Sequence, residues 1–121
     1  MTPEEFFAGS PLGLAVLARV SELLQDVDDV RIRASVSQVA FSRRRGFAYL
    51  WCPGRYLHRP TAEVVLSVVL GRRDTSPRWK EVVHPAPAHW MHHLEVHAPQ
   101  DIDDEVAGWV RAAAAEAGAP A

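Results

Sequence analysis

The 121-residue chain carries 13 basic and 15 acidic side chains, a formal net charge of −2. That length suits a single domain over residues 1–121, able to bury about two-thirds of its unfolded surface without a disulfide or a metal. A composition 48% apolar and 23% charged excludes wholesale disorder. The longest mainly apolar run, Val64 to Leu70, is far short of the roughly 20 residues that cross a bilayer. The N-terminal segment is acidic at Glu4 and Glu5, where a secretory signal is basic. The lone Cys52 cannot form an internal bridge, so a reducing cytoplasm is the expected compartment.

In chain order, Thr2-Pro3-Glu4-Glu5 has the chemistry of a helix start: a hydroxyl cap, a proline at the first helical position and a glutamate three residues on. Gly9 stops that turn, and Ser10-Pro11 repeats the signal before a longer helix. Val16, Val20, Leu23 and Val27 recur there at helical spacing, with Leu17 and Leu24 beside them. Asp26, Asp28 and Asp29 oppose the helix dipole at that end and belong to an exit turn. The period then changes to two. Val30, Ile32 and Ala34 alternate with Arg31, Arg33 and Ser35, predicting a half-buried strand. Strands follow over 38–43 and 47–52, joined by Arg44-Arg45-Gly46 with the glycine expected in a left-handed turn position. Pro53-Gly54 marks a turn, and 63–70 reads as a central strand covered on both faces. Strands at 79–84 and 90–97 flank a turn at Pro85-Ala86-Pro87. Asp101 is expected to cap a last helix, with Ile102, Val106, Trp109 and Ala113 on its apolar face and 117–121 as a frayed tail. The expected fold is α+β: a two-layer sandwich with an antiparallel six-stranded sheet and the N- and C-terminal helices on one face.

The small total charge hides a strong segregation. Residues 1–30 hold one base against six acids, 31–80 hold eleven bases against two acids, and 81–121 hold one base against seven acids. A basic sheet bracketed by acidic helices predicts attraction between the layers, with acids near the arginine-rich hairpins. It also offers a site. Arginine forks bind carboxylate or phosphate bidentately, and a neighbouring ring can orient a small anion. Arg31, Arg33, Arg78 and Lys80 are the candidate charges, and Tyr56 and Trp79 the candidate stacking rings. Nucleic acid is disfavoured as a partner, because a pI near 6.3 lacks the basic footprint such domains carry.

Histidines are the second cluster. On a strand, His93, Glu95 and His97 share one face, a set that could hold a divalent metal with open positions. His92 points to the opposite, apolar side and reads as a hydrogen-bonded core residue. No other cofactor is implied: the chain has no glycine-rich phosphate loop, dinucleotide fingerprint or nucleophile elbow. Cys52 reads as a sheltered thiol.

Three stretches taken together carry a resemblance. They are Ser37-Gln38-Val39-Ala40-Phe41 running into Arg43-Arg44-Arg45-Gly46-Phe47-Ala48; Trp51 with Pro53-Gly54-Arg55-Tyr56-Leu57; and Arg72-Arg73-Asp74, Ser76 to Val83, Trp90 to Glu95 and Asp103-Asp104-Glu105-Val106. From Phe6 to Trp109 the chain resembles the bacterial domain-of-unknown-function family 5655. The resemblance implies a small stand-alone domain or appendage and assigns no catalytic residue. Helix–sheet–helix order is also similar to the frataxin-like fold, which implies architecture alone, and this chain lacks the acidic sheet ridge of iron-handling frataxins. The expected function is a non-enzymatic binding or interaction module that recognises an anionic small molecule or an acidic protein segment on its sheet. The alternative is a metal-binding protein or metal-dependent enzyme using His93, Glu95 and His97. No membrane partner is expected.

Overall fold

The computed structural model describes residues 1–120. Helix α1 (Pro3–Phe6) is capped by Thr2, whose Oγ1 accepts the Glu5 N–H at 3.0 Å, and Gly9 follows at φ +84°. Helix α2 (Pro11–Leu23) is capped by Ser10 through the Gly13 N–H. The aspartates after it lie in the exit turn as expected, with Asp29 at φ +61°. Six strands follow: β1 (Arg31–Ala34), β2 (Val39–Ser42), β3 (Gly46–Trp51), β4 (Val64–Leu70), β5 (Glu81–Ala86) and β6 (His89–Val96). Helix α3 (Asp104–Gly118) closes the described chain.

The sheet is antiparallel throughout, in the order β1-β2-β3-β4-β6-β5. The β5–β6 hairpin is therefore inserted so that β6, not β5, pairs with β4. One face carries Val39, Phe41, Phe47, Leu50, Leu66, Val68, Leu94 and Val96, all buried in a core completed by Phe6, Phe7, Val16 and Val20 from the first helices and Val106, Val110, Ala113 and Ala114 from α3. Each such large side chain contributes about 1.5–3 kcal/mol of burial. None of the described helices lies over the other face. This is the α+β two-layer sandwich with both helical segments on one side.

Several local expectations are corrected. Gly46 does not take a left-handed conformation; it opens β3 opposite Ser42 at a register shift. A Cβ there would collide with the Tyr49 hydroxyl, so the glycine makes room for that side chain. The fifth strand starts at Glu81 rather than residue 79, because Trp79 turns into the core and only the Lys80 N–H joins the ladder, donating to the His93 carbonyl at 2.8 Å. The cap of α3 is Asp103, whose Oδ1 accepts the Val106 N–H, while Asp101 Oδ2 accepts the His97 and Ala98 N–H groups one turn earlier. Residues 117–118 are helical rather than frayed, and Ala117 is buried; residue 121 lies outside the described residues.

The segregated charge works differently from a lattice of ion pairs. Among the described residues only Arg78 joins carboxylates of α3 and its cap, through Asp103 at 3.0 Å and Glu105 at 2.8 Å. The other tethering arginines donate to backbone carbonyls: Arg43 to Asp28 and Ala114, Arg55 to Phe6 and Val36, Arg19 to Pro99, Arg111 to Leu23. A five-donor guanidinium satisfies orphan carbonyls at helix and turn ends, which a carboxylate partner cannot replace.

Candidate functional site

Strand alternation and register decide what stands on the open face. Paired residues share a face, so Arg33, Ala40, Tyr49, Ser67, His93 and Glu81 form one row across all six strands. Trp51, Val65 and Glu95 form the next row toward one end, and Arg31 flanks Arg33 on β1. Over the middle of the first row, from Tyr49 to Glu81, lies an open groove of about 720 Å³. It is lined by Tyr49, Trp51 and Met91, by Tyr56 and Leu57 with Ser37 and Gln38, by Ser67 and His93 beneath, and by Glu81 on the β5 edge.

The rim is fixed by backbone contacts between two loops. Tyr56 Oη donates to the Ser37 carbonyl at 3.3 Å, and Arg55 Nη1 to the Val36 carbonyl at 3.2 Å. Trp51 lies 6.3 Å from the Tyr56 ring and 6.0 Å, edge-on, from His93. Underneath, Trp51 Nε1 donates to Ser67 Oγ at 2.9 Å, and Ser67 Oγ and His93 Nδ1 are 2.6 Å apart. Ser67 is only 2% exposed, so its proton needs a protein acceptor. Indole is a donor only and occupies the Oγ as acceptor. The hydroxyl proton therefore goes to His93 Nδ1, which assigns the imidazole proton to Nε2. Burial pushes His93 below the usual histidine range, the Glu81 carboxylate across the strand pair opposes this, and His92 adds to it. The imidazole is thus a neutral, oriented group. Ser67 itself, closed over by Trp51 and its neighbours, is a positioning residue rather than an exposed nucleophile.

The sequence-predicted ligand residues do not assemble into one site. Arg31 and Arg33 stand exposed at the β1 edge outside the groove, Arg31 lining a separate cavity with Asp29, Arg43, Arg44 and Gly118, and neither makes a salt bridge among the described residues. Tyr56 is at the groove rim. Arg78 lies away from the groove, holding the start of α3 through Asp103, Glu105 and the Asp101 carbonyl. Those contacts raise its pKa, Glu105 first and then Asp103. Trp79 is 8% exposed, packed 4.2 Å from Trp109 and 4.9 Å from His92, with Nε1 donating to Asp74 Oδ2; it offers no free face for stacking. Lys80 is exposed just before β5.

The histidine–glutamate set also separates. His93 turns to Ser67; Glu95 accepts from Thr61; His97, past the end of β6, approaches Glu95 at 3.8 Å. Among the described residues no three His, Cys, Asp or Glu side chains gather as a metal ion requires. His92 is a core residue as expected, fully buried, with Nδ1 toward the Trp90 carbonyl at 3.0 Å and Nε2 accepting the Asp74 N–H at 2.9 Å. Burial pushes the Cys52 thiol up, with Arg55 opposing and Glu63 assisting. Ser67 and Glu81 are not among the site residues predicted from the sequence; Glu81 reads there as a salt-bridge partner, and it makes no salt bridge among the described residues. The signal for Ser67 was its position as the one polar residue within Val64–Leu70, which placed it on the open face of an otherwise apolar strand.

The fold and groove define a small α+β sandwich with one helical face and one bare, aromatic-lined sheet face. The chain belongs to the family described as a domain of unknown function (DUF5655), whose model matches residues 4–114. Neither a curated protein nor a solved structure matches it. No helix among the described residues is long and apolar enough to cross a membrane.

Proposed function

We propose that this domain is a binding module whose bare sheet face takes a small organic anion. The flat or apolar body of the ligand lies on Trp51, Tyr49 and Met91 under the Tyr56 rim. Its carboxylate or phosphate is drawn toward Arg31 and Arg33 on β1. The observation that carries this reading is the groove itself: about 720 Å³, within the usual range for ligand sites, on the one sheet face that no helix covers. Aromatic walls supply apolar contact, and the oriented His93 Nε2–H supplies a fixed donor. The two β1 arginines, free of acidic partners among the described residues, supply the attraction for an anion.

Calorimetric titration with 1-naphthoate and its neutral amide tests the reading. The carboxylate is expected to bind more tightly than the amide, and the Arg31→Ala/Arg33→Ala double variant to lose roughly three- to tenfold in affinity for it, the scale of two exposed charge contacts. Equal affinity for acid and amide, or an unchanged affinity in the double variant, overturns it.

A further inference from the structure

The two edges of the open sheet face differ in charge. Along the row that crosses the sheet, Arg33 stands on β1 and Glu81 on β5, five strand spacings apart, about 24 Å between backbones. Among the described residues no lysine or arginine lines the cavity, and its only charged side chain is Glu81. Glu81 makes no salt bridge among the described residues. Directly across the strand pair from it is His93, and Tyr49, Trp51 and Tyr56 line the same cavity on the β3 side, with the Trp51 and Tyr56 ring centroids 6.3 Å apart and tilted rather than stacked, so their faces are not spent on one another. His93 offsets none of the Glu81 charge while burial keeps it neutral. Aromatic faces beside a carboxylate attract an alkylammonium ion, whose positive charge is spread over methyl or methylene groups that also gain apolar contact.

We propose that the groove recognises an alkylammonium group, held against Trp51 and Tyr56 on one side and facing the Glu81 carboxylate on the other. Joined to the binding reading above, on which only the anionic half rests, this makes the ligand an elongated zwitterion with its cation in the cavity between the β3 rings and Glu81 and its anion toward β1.

The test is an NMR titration of the full chain, labelled with ¹⁵N and followed at the Trp51 indole N–H. The probes are choline and its uncharged isostere 3,3-dimethylbutan-1-ol. Choline is expected to bind about fivefold more tightly than the alcohol, the order expected of an exposed cation–π contact. Glu81→Gln should abolish that preference. Glu81 is exposed on an edge strand, so the variant is expected to keep the parent spectrum elsewhere. Equal binding of the two probes, no binding of choline, or a preference that survives Glu81→Gln overturns the cationic end. The naphthoate titration is read separately. If naphthoate fails while choline shows its Glu81-dependent preference, the anion reading falls and the cationic end stands; the reverse pattern overturns the cationic end alone.

Discussion

Replacing His92 tests whether a buried imidazole anchors the loop that delivers β5, and with it Glu81, to the groove. His92 is fully buried; its Nε2 accepts the Asp74 N–H at 2.9 Å and its Nδ1–H reaches the Trp90 carbonyl at 3.0 Å. Asp74 in turn accepts from Trp79 Nε1 at 2.8 Å and from the Ser76 N–H at 3.0 Å. His92→Leu keeps most of the volume but strands the Asp74 N–H. That group is partly buried, so the lower part of the 1–3 kcal/mol range for an orphaned donor applies, about 1.5 kcal/mol. His92→Ala adds a cavity the size of the ring against Trp79, and losses for aromatic truncations of this kind run about 3–5 kcal/mol. A 121-residue domain has roughly 6–18 kcal/mol in total, so the alanine variant approaches the limit of folding. In urea, with a slope of about 1.5 kcal/mol per molar, the leucine variant should lower the midpoint by about 1 M and the alanine variant by 2 M or more. His92→Gln, which can offer an amide oxygen to Asp74, should recover part of the loss. A leucine variant within about 0.5 kcal/mol of the parent, at unchanged slope, would refute the claim that this hydrogen bond holds the loop.

Two helix glycines should respond oppositely to alanine. A Cβ on Gly13 would strike the ring of the buried Phe7, so overpacking of about 1–3 kcal/mol should outweigh the propensity gain; Gly108 has nothing within 4 Å, and its substitution should stabilise by about 0.5–1 kcal/mol, both read by thermal melting. Arg78→Ala should cost about 1 kcal/mol, with the difference from the parent shrinking as salt rises because the ion pairs are partly exposed. His93 sits below its unfolded pKa, so the unfolded chain binds the proton first as pH falls; stability should decline from about pH 6.5 downward, flattening once the folded imidazole titrates, and His93→Gln should remove that component. Asp74 and Asp103 are also lowered. Burial raises Asp74 but the Trp79 and Ser76 donors outweigh it, while the Val106 N–H and then Arg78 lower Asp103. Their contribution should be complete above the ordinary aspartate range and fall away only below it, so it is separable from that of His93 by urea titration at several pH values.

What could be read along the chain was what depends on neighbours in sequence. Thr2 and Ser10 cap helices with their own side chains, the period-two alternation of 30–97 marks strands, and His92 stands on the apolar side of β6 by parity alone. Those features arise within a few residues, and one sequence contains them. The site needed the strand order. Tyr49, Ser67, His93 and Glu81 come from four strands, and they line up only because β6 inserts between β4 and β5. Parity likewise could not distinguish a ring pointing at solvent from one drawn inward: Trp79 precedes β5 instead of belonging to it, and the Asp74 carboxylate takes its indole N–H into the core. The chain by itself determined that a basic sheet region lies between acidic helices. Only tertiary structure decided that most tethering arginines would serve backbone carbonyls, because orphan carbonyls at helix and turn ends appear only once the layers are packed.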